Sequence, residues 1–347
     1  MVKRMVRDTS NKLLGIARDA DPRWIAGLVC LLAALPIFIR NDYHLSVMIL
    51  CLIDASLAVT WNLMVGYTGI LSFGHQAFYG LGAYLSGLLA IKLNISPWLG
   101  LPLGGCFAAL LSLGIGLPCL RLRIAPYVAI ATLAFSEIML VISRNWVSLT
   151  RGEMGLSGIP PLSDLSLFGS VKIPFSTGAR IPYYYCILII FLITMMSVYF
   201  ILRSKMGLAL KSVRENQDAA ASLGVNVTQA KLTAFLVSSF FAGVVGSFYA
   251  HYVSVLAPGA VFGVGKMVEI VAITLVGGIG TFFGPVAGTF ALVVGLEMLR
   301  GLEGYRLMVY GAALVAITLL MPNGLLTGLK TVYHRYVRTS KQSLSRT

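Results

Sequence analysis

Long apolar segments recur along the whole chain and constrain its fold more than any other feature. Most of them run for about 16 to 24 residues, close to the length of helix that crosses a hydrocarbon core of about 30 Å. Charged residues make up only 12% of the sequence, whereas a soluble globular domain carries about 25%. The sequence therefore predicts an all-α integral membrane protein, a polytopic helical bundle forming one domain over residues 1–347.

Ten membrane spans follow from these segments. We place them at 24–39, 45–65, 70–92, 97–120, 126–143, 183–202, 231–251, 266–280, 284–299 and 305–321. The pair at 266–280 and 284–299 has only about 15 residues in each helix, or roughly 22 Å, which is short for a crossing. Broken or re-entrant helices are therefore expected there. Eight crossings is the alternative, if this pair enters and leaves on one face.

The formal net charge is +14. The basic residues behind it are distributed along the chain as membrane topology requires, and not as a nucleic-acid-binding surface would require. Basic residues concentrate in the N-terminus (1–23), in the loop at 203–231 and in the tail (330–347). Such residues favour the cytoplasmic face, so both termini are predicted to be cytoplasmic and the number of crossings even. The long loop at 144–182 then lies outside. The charge pattern therefore predicts that lipid and not nucleic acid surrounds the chain.

The 203–231 loop is a polar island whose centre has the features of a short helix. Ser212 and Glu215 have capping-box spacing, and Gly224 stands where a helix end prefers glycine. We expect one presented helix of about three turns, with Ala220 on a small-residue surface that fits a partner. An ordinary capped helix in a connecting loop is the alternative.

Two glycine-rich stretches interrupt the apolar pattern. Dense glycine lets backbones approach closely, and it lets a helix break where protein or water can satisfy the freed backbone groups. Such breaks often line a substrate route, although close helix packing explains single glycines equally well. The candidate pathway residues are Asn62, Gly66, Gly69 and His75 in the first stretch and Gly277, Gly278, Gly280, Gly284 and Pro285 in the second.

Four acidic residues fall within the predicted spans. Glu269 and Glu297 lie near span ends, where an interfacial position costs little, whereas Asp54 and Glu137 lie deeper. A carboxylate at such depth faces the bundle interior or water. Asp54 and Glu137 are therefore either structural, bonded to neighbours such as Asn62, or functional.

The sequence contains no motif for catalysis, nucleotide binding or metal binding. The segment 260–267 approaches a phosphate-binding loop but has alanine for its first glycine and Met267 in place of the required serine or threonine. The five cysteines and four histidines are scattered, without metal-ligand or nucleophile spacing. We predict that the chain is not an enzyme and holds no metal or cofactor.

Several blocks, taken in order, resemble one family. They are WNLMVGYTGILSFGHQAFYGLGAY at 61–84, ATLAFSEI at 131–138, SKMGLALKSVRENQDAAASLGV at 204–225, KLTAFLVSSFFAGVVGSFYA at 231–250 and LVGGIGTFFGPVAG at 275–288. Together they resemble the LivM-type permease subunits of bacterial branched-chain amino acid ABC importers. Within 204–225, the stretch from Asp218 to Gly224 is similar to the coupling element of such permeases, with aspartate in the place of glutamate.

The resemblance implies partners, roles and a substrate class. It implies a second homologous permease, two cytoplasmic ATPase subunits that bind ATP and Mg²⁺, and a periplasmic or lipid-anchored solute-binding protein. The substrate would be a branched-chain or other hydrophobic amino acid, while urea and short amides are carried by relatives with similar permeases. The residues implied to couple to the ATPases are Arg214, Glu215, Asp218, Ala219, Ala220 and Gly224.

Two other classes remain open at this stage. An autonomous channel or ion-coupled secondary transporter would use Asp54 and Glu137 as its ion site, but it would have no need for a presented helix at 212–224. A membrane scaffold without transport is disfavoured by the two glycine-broken regions.

Overall fold

A computed structural model of the chain describes residues 22–38, 41–121, 125–167, 171–173, 175 and 179–298, with the isolated residues 308, 311, 312 and 315. The helices are α1 (Pro22–Phe38), α2 (Asp42–Thr68), α3 (His75–Leu93), α4 (Pro97–Arg121), α5 (Ala125–Asn145), α6 (Val147–Thr150), α7 (Arg180–Arg203), α8 (Lys205–Glu215), α9 (Gln217–Ser222), α10 (Val227–Val253), α11 (Pro258–Phe262), α12 (Val264–Gly277) and α13 (Gly284–Met298). A 3₁₀ turn covers Gly152–Met154, and the strands are β1 (Leu156–Ser157), β2 (Leu165–Leu167), β3 (Val171–Ile173) and β4 (Val255–Leu256).

Six helical segments of the described chain are long and apolar enough to cross a membrane. They are Asp42–Thr68, Pro97–Cys119, Pro126–Asn145, Arg180–Arg203, Val227–Val253 and Pro258–Gly277. Gly27–Pro36 and Gly284–Gly295 are apolar but shorter. The predicted all-α membrane fold is thus confirmed. Ten crossings remains a prediction, because α3 is not among the six and most of 305–321 lies outside the described residues, as do 1–21 and the tail at 330–347.

Helix α2 forms the centre of the bundle. It is the most deeply buried of the six segments, with Trp61 enclosed among its neighbours. An apolar helix that is covered on all sides belongs to the interior of a bundle rather than to its lipid-facing rim. Helices α4 and α5 occupy the rim, since each leaves much of its apolar surface uncovered.

Helices α3, α4 and α10 pack backbone against backbone. A Cβ atom at Gly82 would lie 2.5 Å from the Cα of Gly243, and one at Gly243 would lie 2.7 Å from the Cβ of Ala108. Small residues allow this close approach in membrane helices. Gly82, which belongs to the first glycine-rich stretch, therefore serves helix packing.

The predicted short pair is a hairpin of two short helices, α12 and α13. A Cβ at Gly288 would lie 2.8 Å from the backbone nitrogen of Gly277, so the two helices touch near their turn and run antiparallel. The hydroxyl of Tyr43 donates to the carboxylate of Glu297, which brings the end of α13 back to the beginning of α2. The expectation of short, interrupted helices in this region is confirmed.

The described residues of the long loop at 144–182 are joined to the end of α10 by strand pairing. Strand β1 pairs antiparallel with β4, with Leu156 opposite Leu256. His251 of α10 adds a second connection to the loop, because its Nδ1 lies 2.7 Å from the Pro160 carbonyl. Its Nε2 lies 2.8 Å from Ser86 Oγ. A carbonyl only accepts, so Nδ1 carries the proton and Nε2 accepts from the serine.

Predicted orientation can be tested by labelling from outside. In a background without the five native cysteines, a cysteine replacing Met154, which is 90% exposed, should react in intact cells with a membrane-impermeant maleimide. One replacing the exposed Thr228 should react only after the membrane is opened. Labelling of the Thr228 variant in intact cells would place the 203–231 loop outside and contradict the topology.

Candidate coupling and pathway sites

The 203–231 loop contains two short helices, α8 and α9, rather than one. Ser204 caps α8, since its Oγ accepts from the Met206 N–H at 3.1 Å. Asn216 is extended and caps α9, with its Oδ1 accepting from the N–H groups of Asp218 and Ala219, both at 3.0 Å. Asparagine is among the best N-cap residues, and it restarts the helix where a capping box at Ser212 had been expected.

The capping-box prediction is therefore wrong. Ser212 lies inside α8, and its hydroxyl donates to the Ala209 carbonyl at 2.9 Å instead of starting a helix. The glycine stop is confirmed, because Gly224 follows α9 with φ of +84°, a left-handed conformation that favours glycine.

Helix α9 presents some of the expected coupling residues and hides one. Asp218 and Ala219 of α9 are exposed, as are Arg214 and Glu215 at the end of α8 and Gly224 after α9. Leu223, just past the end of α9, is 84% exposed, which sequence reasoning had overlooked. Ala220 is only 2% exposed, so it packs within the chain and does not belong to a presented surface.

Both helices are anchored to the bundle. Leu210 and Val213 of α8 are buried. Lys211 is partly covered, and this burial lowers the pKa of its ammonium group. The ammonium of Lys231, in the first turns of α10, donates to Gln217 Oε1 at 2.8 Å and holds the start of α9.

The end of α2 and the tip of the α12–α13 hairpin are bound to each other. Asn62 makes two bonds to the tip: its Oδ1 accepts from the Gly280 N–H at 2.8 Å, and its Nδ2 donates to the Thr281 carbonyl at 2.9 Å. A Cβ at Gly66 would lie 2.6 Å from the Gly280 nitrogen. Gly69 then ends α2 with φ of +73°. The two glycine stretches, far apart in sequence, thus form one site.

Arg214 reaches this site from α8. Its Nη1 donates to the Gly66 carbonyl oxygen. A Cβ at Gly280 would lie 2.6 Å from the same nitrogen, and one at Gly69 would lie 3.7 Å from Arg214 Cγ. A residue predicted for coupling is therefore bonded to one residue predicted for the pathway, Gly66, and lies beside two others, Gly69 and Gly280.

The other predicted pathway residues lie in two further places. Gly277, Gly284 and Pro285 bring the two helices of the hairpin together just behind its tip, with a Cβ at Gly277 only 3.0 Å from the Pro285 nitrogen. Gly278 caps α12 with φ of +111°. His75 begins α3 and is fully buried.

His75 is held by α2. Its Nε2 lies 3.0 Å from Thr60 Oγ1, and the threonine hydroxyl donates to main-chain carbonyls of its own helix. Nε2–H is therefore the donor to Thr60, and Nδ1 has no hydrogen-bond partner within the described chain.

The two deep carboxylates have different surroundings. Asp54 Oδ1 lies 2.5 Å from the ammonium of Lys266, which also lies 2.9 Å from Glu269 Oε2. Asn62, the partner suggested for Asp54, is occupied elsewhere. Glu137 is half-buried on α5 and has no hydrogen bond or ion pair to any residue that the structure describes.

Lys266 is a residue that sequence reasoning missed. It stands at the start of the predicted span 266–280 and was weighed only as part of a failed phosphate loop. The signal was present, because a lysine three residues before Glu269 in an apolar segment calls for a buried partner.

A polytopic bundle with interrupted helices joined to a separate loop element is an architecture that suits a membrane permease. The chain belongs to the family of permease components of branched-chain amino acid transport systems, whose family model matches residues 43–318. This confirms the resemblance found in the sequence.

Relatives cover most of the chain. The high-affinity branched-chain amino acid transport system permease protein LivM of Salmonella typhimurium is 30% identical over 319 residues, which cover 87% of this chain and 74% of the relative. LivH of Escherichia coli K12, described as a permease of the same kind, is 25% identical over 283 residues, with shares of 78% and 90%. A nucleoside ABC transporter permease, NupC of Lactococcus lactis, is 26% identical over 197 residues, with shares of 54% and 60%. No solved structure matches the chain.

Proposed function

We propose that this chain is one of two permease subunits of an ATP-driven importer for branched-chain or other hydrophobic amino acids. The observation that carries the proposal is the α8–α9 element: it stands outside the six apolar spans, presents Asp218, Ala219 and Leu223, and is anchored to the bundle. A permease without ATPase chemistry of its own receives force through such an element.

The proposed assembly follows from that role. A second homologous permease completes the pathway, and two cytoplasmic ATPase subunits carry ATP and Mg²⁺ and bind α9. A periplasmic or lipid-anchored binding protein delivers substrate. The complex lies in a bacterial inner membrane with both termini of this chain cytoplasmic.

The mechanism is alternating access. Substrate enters between the two permeases from outside, and ATP-driven closure of the ATPases moves the α8–α9 element and reopens the path inward. Each step shifts the balance between two conformations, so ATP acts by binding one of them better. Short helices such as α12 and α13 suit this task, because their ends expose backbone groups within the membrane domain.

An ion-coupled carrier is the competing proposal, and Glu137 is the observation that favours it. A carboxylate that stands midway along a membrane helix and has no partner among the described residues is a candidate ion site. Asp54 weakens that proposal, since Lys266 already neutralises it.

The test uses Leu223→Asp, which places a charge on the large, highly exposed apolar residue next to α9. A contact surface that excludes water should not tolerate an unpaired carboxylate, so co-purification with the ATPase subunits and uptake should both fall by at least about tenfold. The chain's own level in the membrane should be unchanged. Ala220→Arg, which the sequence alone would have selected, would instead disturb packing inside the chain.

Met154→Asp is the matched control, because it adds the same charge to an equally exposed residue of the long loop. ATPase co-purification should be unaffected. Normal ATPase binding by the Leu223→Asp variant, or uptake by vesicles containing this chain without any ATPase, would contradict the importer proposal and favour the carrier.

A further inference from the structure

The side chain of Arg214 spans the gap between the α8–α9 element and the membrane domain. We infer that Arg214 is the positioning residue through which movement of α8 reaches the pathway: it clasps the carbonyl end of α2 against the tip of the α12–α13 hairpin. The inference rests on the proposed function and adds to it the residue that transmits the movement. We call the joined group of Arg214, Gly66, Gly280 and Asn62 the clasp.

The chemistry at the end of α2 explains why arginine is suited to this position. The last carbonyls of a helix lack intrahelical donors and carry partial negative charge. The N–H of Ile70, which could have reached Gly66, bonds to the Met64 carbonyl instead. The Gly66 oxygen is therefore left for Arg214, and a cationic donor at a helix C-terminus is favourable.

Glycine on both partners makes the clasp sterically possible. A Cβ at Gly66 would lie 2.6 Å from the nitrogen and 2.9 Å from the Cα of Gly280. Gly280 has φ of +77°, and a Cβ there would meet both Arg214 Nη1, at 2.6 Å, and the Gly66 oxygen, at 3.0 Å. Each side chain larger than hydrogen would therefore push the three elements apart.

Asn62 completes the connection. Its side-chain amide bonds both the N–H of Gly280 and the carbonyl of Thr281, so the hairpin tip cannot leave α2 without breaking two hydrogen bonds. Arg214 binds the same junction from α8. The clasp thus joins α8, the end of α2 and the hairpin tip into one unit.

This arrangement gives the coupling movement a defined effect. When the ATPases pull α8, the guanidinium is withdrawn from the Gly66 carbonyl, and the hairpin tip becomes free to separate from α2. Lysine cannot fully replace arginine here, because its ammonium is a point donor without the guanidinium's planar set of five N–H groups.

The test measures transport and ATP hydrolysis together, in vesicles containing the complete complex. Arg214→Gln should assemble with the ATPases and keep hydrolysing ATP, while substrate carried per ATP falls by about tenfold or more. Arg214→Lys should recover part of the loss. Lys205→Gln, which removes an exposed cation at the start of the same helix, should behave like the wild type.

Each outcome separates the clasp from the importer proposal. An unchanged transport-to-ATP ratio in Arg214→Gln, with the ATPases bound, would overturn the clasp and leave the importer standing. Loss of assembly in both Arg214→Gln and Arg214→Lys would assign the residue to folding or to direct ATPase binding, and would also overturn the clasp. Failure of the wild-type chain to bind any ATPase would refute the importer itself.

Discussion

Replacement of Lys266 by methionine is expected to remove most of the folded chain from the membrane. Lys266 forms ion pairs with Asp54 and Glu269. The side chain of Asp54 is only 6% exposed. Methionine is similar in length but leaves Asp54 to bear a buried charge alone or to take up a proton. Breaking a buried pair in this way costs about 3 to 5 kcal/mol, which is a large part of the stability of a typical domain.

Protein recovered after mild detergent extraction, and its thermal unfolding, would measure the loss. The double variant Asp54→Asn, Lys266→Met should recover much of it, because no uncompensated charge remains on Asp54. Glu269→Gln alone should have a small effect, since that side chain is 35% exposed and less dependent on the lysine. A Lys266→Met chain as stable as the wild type would show that the pair does not hold α12 to α2.

The substitution Gly66→Ala, which adds a single methyl group, is expected to cause a large loss of uptake and stability. Alanine in place of glycine inside a helix usually stabilises by about 1 kcal/mol. Here the added methyl group would lie 2.6 Å from the Gly280 nitrogen, and overpacking of this kind costs about 1 to 3 kcal/mol. Gly66→Ala should therefore destabilise the chain instead of stabilising it. Uptake should be nearly abolished because α2 and the hairpin tip can no longer meet.

Gly114→Ala on α4 is the matched control, since a Cβ there has no atom within 4 Å. It should leave uptake and thermal stability close to wild type. If both variants transported normally, close contact at the end of α2 would have no part in the transport cycle.

The spans were largely predictable because their signal is local. The predicted span 183–202 corresponds to α7, Arg180–Arg203, and 45–65 corresponds to α2, Asp42–Thr68. Errors arose where two local signals competed. The span expected at 70–92 begins only at His75, after the break at Gly69, and Asn216 outcompetes Ser212 as a cap in the 203–231 loop.

The site was predictable in its parts but not in its assembly. Glycine-rich stretches identify themselves by composition, so Gly66 and Gly280 could be named from sequence. That Arg214 joins them depends on a contact across 148 positions of chain, and the pairing of Lys266 with Asp54 spans 212. No periodicity or spacing encodes such contacts. Ala220 was misplaced because its small size fits a buried position as well as an exposed surface.

The pairing of β1 with β4 sets an order of events during biosynthesis. Leu156 leaves the ribosome well before its partner Leu256, and α7, α8, α9 and α10 are all made in between. At synthesis rates of about 5 to 20 residues per second, β1 waits roughly 5 to 20 s without its partner. His251, which holds Pro160, arrives with the same delay. Strand β1 is therefore made in the first half of synthesis but finds its partner only after α10 has been made.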